Sequence, residues 1–130
     1  MSSVELEAPA RAEYVSLLRM LAASLATSRR QLDEERVDNL KLAVSEACTI
    51  LVEARGSESR RMTITWQEDD DGVNIDVDDG RQGIQLSGSD GTDEASAMPF
   101  RIIRALVDDV SFVTDDGKEL LRMRMVCAPV

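Results

Sequence analysis

The sequence predicts one two-layer α/β (α+β) sandwich, a mixed, mostly antiparallel sheet covered on one face by three helices. Three observations predict it. The apolar period switches along the chain between the helical 3.6 and the strand-like 2. Two Asp-Gly turns, Asp69-Asp70-Asp71-Gly72 and Asp115-Asp116-Gly117, each join two alternating segments, so strands connect mainly through hairpins. The order strand, helix, helix, hairpin, long loop, helix, hairpin leaves three helices to cover the apolar face of those strands. A chain of 130 residues, 43% hydrophobic, suits one domain with a single core over residues 1–130.

Each element has its own signal. Ser3 to Ala8, SVELEA, alternates apolar and polar and reads as a first strand, broken by Pro9. From Arg11 to Thr27, Tyr14, Leu17, Leu18, Leu21, Ala22 and Leu25 make a helical stripe. Ser28 to Leu32 is a polar connector. Asp33 can cap the next helix, with Arg36 where a capping box would carry Glu. That helix runs to about Ala54 and faces the core with Val37, Leu40, Ala43, Val44, Ala47, Cys48 and Leu51, and Gly56 stops it. Met62, Ile64 and Trp66 alternate with Thr63, Thr65 and Gln67, and Val73, Ile75 and Val77 return from the first turn. Asp78 to Ala97 reads as a long loop rich in Gly, Ser and Asp, a length that tends to be functional or mobile. Pro99 suits the first turn of a helix to about Asp108. Val110 to Thr114 and Glu119 to Val126 form the last hairpin, its methionines packing in the sheet.

Composition narrows the chemistry. Aromatic residues are 3% of the chain, so the core rests on Leu, Ile, Val, Ala and Met. The net charge is −10, and an acidic surface is repelled by phosphate backbones, which argues against direct nucleic-acid binding. There is no histidine, hence neither the usual acid/base residue nor the commonest metal ligand, and no metal site is expected. Cys48 and Cys127 form no CxxC or zinc spacing and read as two buried thiols in a reducing compartment. No apolar run approaches the roughly 18 residues needed to span a membrane, and the N-terminus lacks a signal-peptide pattern. The expectation is a cytoplasmic protein without membrane contact.

One stretch raises a chemical question. SEACTILVEA, Ser45 to Ala54, sets Glu46 among small and apolar neighbours, with Ile50 one helical turn on. From the residues alone, Glu46 fits a surface charge and Ile50 fits core filling.

This order of elements, with KLAVSEACT inside it, resembles the GHKL (Bergerat-fold, histidine kinase-like) ATPases. The chain is most similar there to the anti-sigma factor serine kinases of bacterial stress and sporulation switches. EYVSLLRMLAASLA, VDNLKLAVSEACT and IRALVDDVSF carry the similarity, the middle segment most specifically. The resemblance implies a protein that binds a sigma factor, keeps it from RNA polymerase, and uses ATP to phosphorylate a serine on a small anti-anti-sigma (STAS) partner.

It also implies roles. The family's second helix pairs a Glu, the general base, with an Asn one turn later that holds Mg²⁺ on the nucleotide phosphates. Glu46 matches the Glu, and Ile50 stands at the Asn, where it offers no lone pair to a cation that wants oxygen. A second family motif is an Asp, then glycines, at a strand end, where the Asp accepts from the adenine amino group. Asp78 and Asp79 give two registers. Asp79 shares a strand face with Val73, Ile75 and Val77 and aligns Gly83 with a later family glycine, but sets Arg81 where the first glycine would be. A third motif, Gly-x-Gly between the ATP lid and a helix, falls on Ala97 and Pro99, and Pro99 has no N–H for a phosphate. Glu46, Ile50, Asp78, Asp79, Gly83, Ala97 and Pro99 thus trace a vestigial ATP site.

The first helix and the connector after it are where the resemblance places dimer and sigma contacts. Arg19, Arg29 and Arg30 are the candidates there, since a guanidinium fork pairs with acidic surfaces at two points. The leading expectation is an anti-sigma factor, a homodimer antagonised by a STAS partner, with kinase activity lost or weak and no cofactor. The alternative is an active serine kinase that keeps ATP and Mg²⁺, with Asp78 or backbone carbonyls in place of the lost ligand. A module with another partner is a third reading that no feature selects.

Overall fold

The computed structural model describes residues 2–27, 32–53, 61–78, 94–115 and 118–127. Strand β1 is Ser2–Pro9, followed by helices α1, Ala12–Thr27, and α2, Glu34–Glu53. Strands β2, Arg61–Glu68, and β3, Gly72–Asp78, come next, then α3, Glu94–Leu106, and strands β4, Asp109–Asp115, and β5, Lys118–Val126. The described strands form one sheet in the order β1-β2-β3-β5-β4, and every pairing is antiparallel.

Alternation gives the sheet two unlike faces. Val4, Leu6 and Ala8 sit opposite Trp66, Ile64 and Met62, and Ile64 and Trp66 sit opposite Val77 and Ile75. Val73, Ile75 and Val77 then meet Met125, Met123 and Leu121. This face is the core, with Met62, Ile64, Trp66, Ile75, Val77 and Met123 fully buried. The helices lie on it, α1 by β1, α2 by β3 and β5, and α3 by β4, with α2 packed between its two neighbours. Burying each such side chain contributes about 1.5–3 kcal/mol, and this apolar layer is what holds the two layers together. The opposite face is polar. There Arg122 forks onto Asp76 with bonds of 2.7 and 2.8 Å, and Arg124 bonds Asn74 at 2.8 Å.

The turns show why these residues stop where they do. Pro9 ends β1, and its carbonyl accepts the Arg11 N–H at 2.8 Å to start the corner into α1. Asp33 caps α2 as expected, accepting the Arg36 N–H on Oδ1 at 2.8 Å. Arg36 replaces the capping-box Glu with an ion pair, its guanidinium 3.2 Å from Asp33 Oδ2. In the first hairpin turn, Asp69 Oδ1 accepts the Asp71 and Gly72 N–H groups, both at 2.8 Å. Gly72 is required by space, because a Cβ there would sit 2.3 Å from the Met125 carbonyl oxygen. Asp108 fastens the end of α3 to β5. Its N–H donates to the Arg124 carbonyl at 3.0 Å, and its Oδ2 accepts the Val126 N–H at 2.6 Å.

Two expectations are corrected. Helix α3 begins at Glu94, five residues before Pro99, and ends at Leu106, so Pro99 lies within the helix and leaves the Ala95 carbonyl without its helical donor. One residue on, Phe100 stacks on Phe112 of β4, centroids 5.0 Å apart, with Arg104 over the Phe100 ring. On α1 the buried stripe is Leu18, Ala22 and Ala26, while Leu17 and Leu21 are 47% and 37% exposed. The helix is apolar around most of its girth, and the close approach of α2 favours the alanines over the larger leucines.

Candidate functional site

Helix α2 positions both residues that the sequence singles out. Asn39 and Glu46 are two turns apart and Ile50 one turn further, so all three share a flank of the helix. That flank faces α3. Asn39, with Asp33, Glu35 and Arg36, lines a cleft of about 280 Å³ closed by Ala105, Leu106, Val107 and Asp108 from the end of α3 and by Met125 of β5. The end of α3 thus stands by the start of α2, and the two helices run antiparallel. Glu46 and Ile50 lie further along the same groove, toward the start of α3.

Both are half-buried, and Ile50 packs against the core cluster. Glu46 makes no hydrogen bond or ion pair with another described residue. At this turn of α2 the described residues thus set one carboxylate, Glu46, beside the hydrocarbon of Ile50. Mg²⁺ demands near-octahedral oxygen ligation, and Ile50 supplies none. Among the described residues no group of three acidic, His or Cys side chains converges anywhere. As far as it is described, this donor set does not fit a magnesium-bound triphosphate.

The other candidates separate. Asp78 alternates with the buried Val77 and pairs with Thr63, which puts it on the open face of the sheet, away from Glu46. It does not join the groove. Asp79 and Gly83 lie outside the described residues, as do Arg29 and Arg30. Ala97 and Pro99 fall inside α3, so the phosphate-cradling loop that the resemblance expects is helix at those positions. Arg19 is half-buried on α1 and pairs with no described residue, which leaves its fork available.

Cys48 faces away from this groove into the core. Burial alone pushes its thiol up to about 12, so it is inert as a nucleophile. One feature was missed from sequence, the exposed apolar flank of α1 formed by Leu17, Met20 and Leu21. Its signal was present, because α1 carries more large apolar residues than one buried stripe can use. Among the described residues no helix is long and apolar enough to cross a membrane.

Residues 8–125 match the model of the histidine kinase-like ATPase domain. The chain is 26% identical over 136 residues to the serine-protein kinase RsbW of Bacillus cereus, across 95% of this chain and 84% of that protein. It is 30% identical over 139 residues to RsbW of Listeria monocytogenes, across 95% and 87%. To RsbW of Bacillus mycoides it is 27% identical over 140 residues, across 95% and 84%.

Proposed function

The chain belongs to the histidine kinase-like ATPase domain family, in its RsbW-like group, and from that premise we propose that it is an anti-sigma factor of the partner-switching type. It binds and sequesters an alternative sigma factor and gives it up to an anti-anti-sigma (STAS) partner. Residues 1–130 act as one domain, as a homodimer, in the cytoplasm, without contact to nucleic acid or membrane. Kinase activity is lost or weak, and no cofactor is needed. One observation carries this last step: Ile50 packs into the core one turn from Glu46, where the family's chemistry needs an oxygen ligand. Without the metal, transferring phosphates lose their main neutralising charge. Exchange of partners needs no chemistry in this chain, since competing ligands shift a binding equilibrium by mass action.

The sigma-factor contact is proposed at Arg19, with Arg29 and Arg30 beyond it. The unpaired Arg19 fork supports this, as does the fit of a guanidinium to an acidic surface. The test is capture of a sigma factor by the purified chain with and without MgATP. Equal stoichiometric complex in both supports the reading, and capture that appears only with ATP refutes it.

A second reading is an active serine kinase with ATP and Mg²⁺. It is favoured by one fact, that Glu46 is kept and unengaged on the groove flank. Phosphate transfer to a STAS partner that Glu46→Ala abolishes, with nucleotide binding intact, would establish it.

A further inference from the structure

The outer side of α3 carries a pair of cations in a chain of net charge −10. Ile103 is fully buried, and Arg101, Arg104 and Ala105 on the other side of the helix are exposed. The two arginines are three residues apart, hence neighbours on one helix face. Elsewhere Arg36, Arg61, Arg122 and Arg124 each pair with a carboxylate. Arg101 and Arg104 make no ion pair with a described residue, although like charges one turn apart cost a helix stability. Arg11, Arg19 and Lys41 are unpaired among the described residues too, but each stands alone.

Arg104 is also held in place. Its guanidinium lies over the Phe100 ring, 5.7 Å from the centroid, and that ring stacks on Phe112 of β4. Asp108, one turn on, accepts the Val126 N–H and leaves Arg104 without an ion pair. The ring thus fixes a cation whose N–H groups have no described acceptor.

The sign reverses toward the end of the helix. Asp108 and Asp109 are exposed there. Beside Asp108 opens the cleft of about 280 Å³ at the start of α2, where Asp33 and Glu35 outnumber Arg36, itself paired with Asp33. Among the described residues no three acidic side chains converge, so the cleft suits the extended cation of a lysine or arginine over a metal ion. From Arg101 to Asp108 the axis runs roughly 10 Å. Nucleic acid or an anionic membrane keeps one sign over that distance, so what it gains at the arginines it loses at the carboxylates. A protein segment can reverse sign within it. We infer that the outer side of α3, from Arg101 to the cleft at Asp108, is a docking surface for a protein segment of reversing charge. Its carboxylates meet Arg101 and Arg104, and a lysine or arginine one to two turns away enters the cleft. This surface lies on a different helix from the sigma-factor contact proposed at Arg19 and does not rest on that reading.

The probe is a capped, alanine-rich helical peptide with two Glu one turn apart, followed one to two turns later by two Lys. Its controls carry Gln in place of the Glu, of the Lys, or of both. Binding to the full chain is read at low salt from the Arg Nε–H and backbone amide signals by NMR. The probe should shift the Arg101 and Arg104 Nε–H signals and the Asp108 and Val126 amides, and leave Arg11 and Arg19 in place. It should bind at least about threefold more tightly than either singly charged control. Arg101→Glu combined with Arg104→Glu should weaken it about tenfold. Asp108→Asn, which keeps an acceptor for the Val126 N–H, should weaken it about two- to fivefold and leave the Glu-only control no weaker. A Lys-only control as tight as the probe would mean adsorption to an acidic surface and would overturn the proposal. So would absence of binding, shifts spread evenly over all arginines, or a duplex DNA oligonucleotide that moves Arg101 and Arg104 as strongly as the probe. A dimer that the double substitution dissociates would overturn it as well, since a second copy would then cover the surface.

Discussion

Trp66 is fully buried, and its indole N–H finds no partner among the described residues. It sits between Val4 and Ile75 on the apolar inner face of the sheet. A buried donor left unmade costs about 1–3 kcal/mol, and the ring repays this by filling the middle of a core that has few aromatics. Trp66→Phe removes the orphan donor together with some volume, and the two changes oppose. Urea unfolding should place it within about 1 kcal/mol of the parent, whereas Trp66→Ala should lose about 3–5 kcal/mol. Cys48 gives a second test at this scale. Its folded pKa, about 12, lies above its ordinary 9.0 because burial penalises the thiolate. The unfolded chain therefore releases that proton first. Stability referable to Cys48 is full below pH 9 and falls between about 9 and 12, by about 1.4 kcal/mol per pH unit. Cys48→Ala should flatten that alkaline slope, and the native thiol should resist labelling at pH 8 until the chain unfolds.

Among the elements, α2 and the sheet were legible in the sequence and α1 and α3 only partly so. On α2 the apolar residues occupy one stripe, and the period alone picks the buried face: Leu40, Ala43, Val44, Ala47, Cys48 and Leu51 are all buried. In β2, β3 and β5 strict alternation does the same, and it also places Asp78 on the open face. On α1 the period names no single side, because leucines and alanines surround the axis, and tertiary packing decides. For α3, the run from Glu94 to Met98 has no apolar period, and Pro99 mimics a helix start. Within the candidate site, the spacing of Glu46 and Ile50 was readable from residue numbers. Their placement in an α2–α3 groove was not, because it depends on the direction of α3. The hairpins supply a test of pH. Arg124 of β5 holds the Asp69 carboxyl in the β2–β3 turn below the usual carboxylate range, chiefly through their hydrogen bonds of 3.2 Å. A depressed folded pKa contributes stability above the unfolded value of about 3.9 that is lost as pH falls through the folded one. Asp69→Asn should therefore destabilise the chain at neutral pH and show a shallower acid limb below pH 4 in thermal melts.

For the whole molecule, sheet, capping and core are those of a nucleotide-binding family, while the groove between α2 and α3 offers hydrocarbon at the decisive turn. The two facts are compatible because the fold does not depend on the site. The middle of the inner face, from Met62, Ile64 and Trp66 across Ile75 and Val77 to Met123, is buried by protein alone, so nucleotide is not needed to complete that part of the core. Thermal stability can read the difference without any assay of phosphate transfer. A ligand that binds only the folded chain stabilises it by RT ln(1 + [L]/Kd). A site with Kd near 10 μM would yield about 2.7 kcal/mol at 1 mM MgATP, which for a domain of this size raises Tm by roughly 8–15 °C. The Ile50 side chain leads us to expect a shift below about 1 °C, the same for MgATP, MgADP and Mg²⁺ alone. A rise of several degrees that needs both nucleotide and metal, and that Glu46→Ala preserves, would show that the groove still holds what its family binds. It would move the second reading, the kinase, ahead of the first.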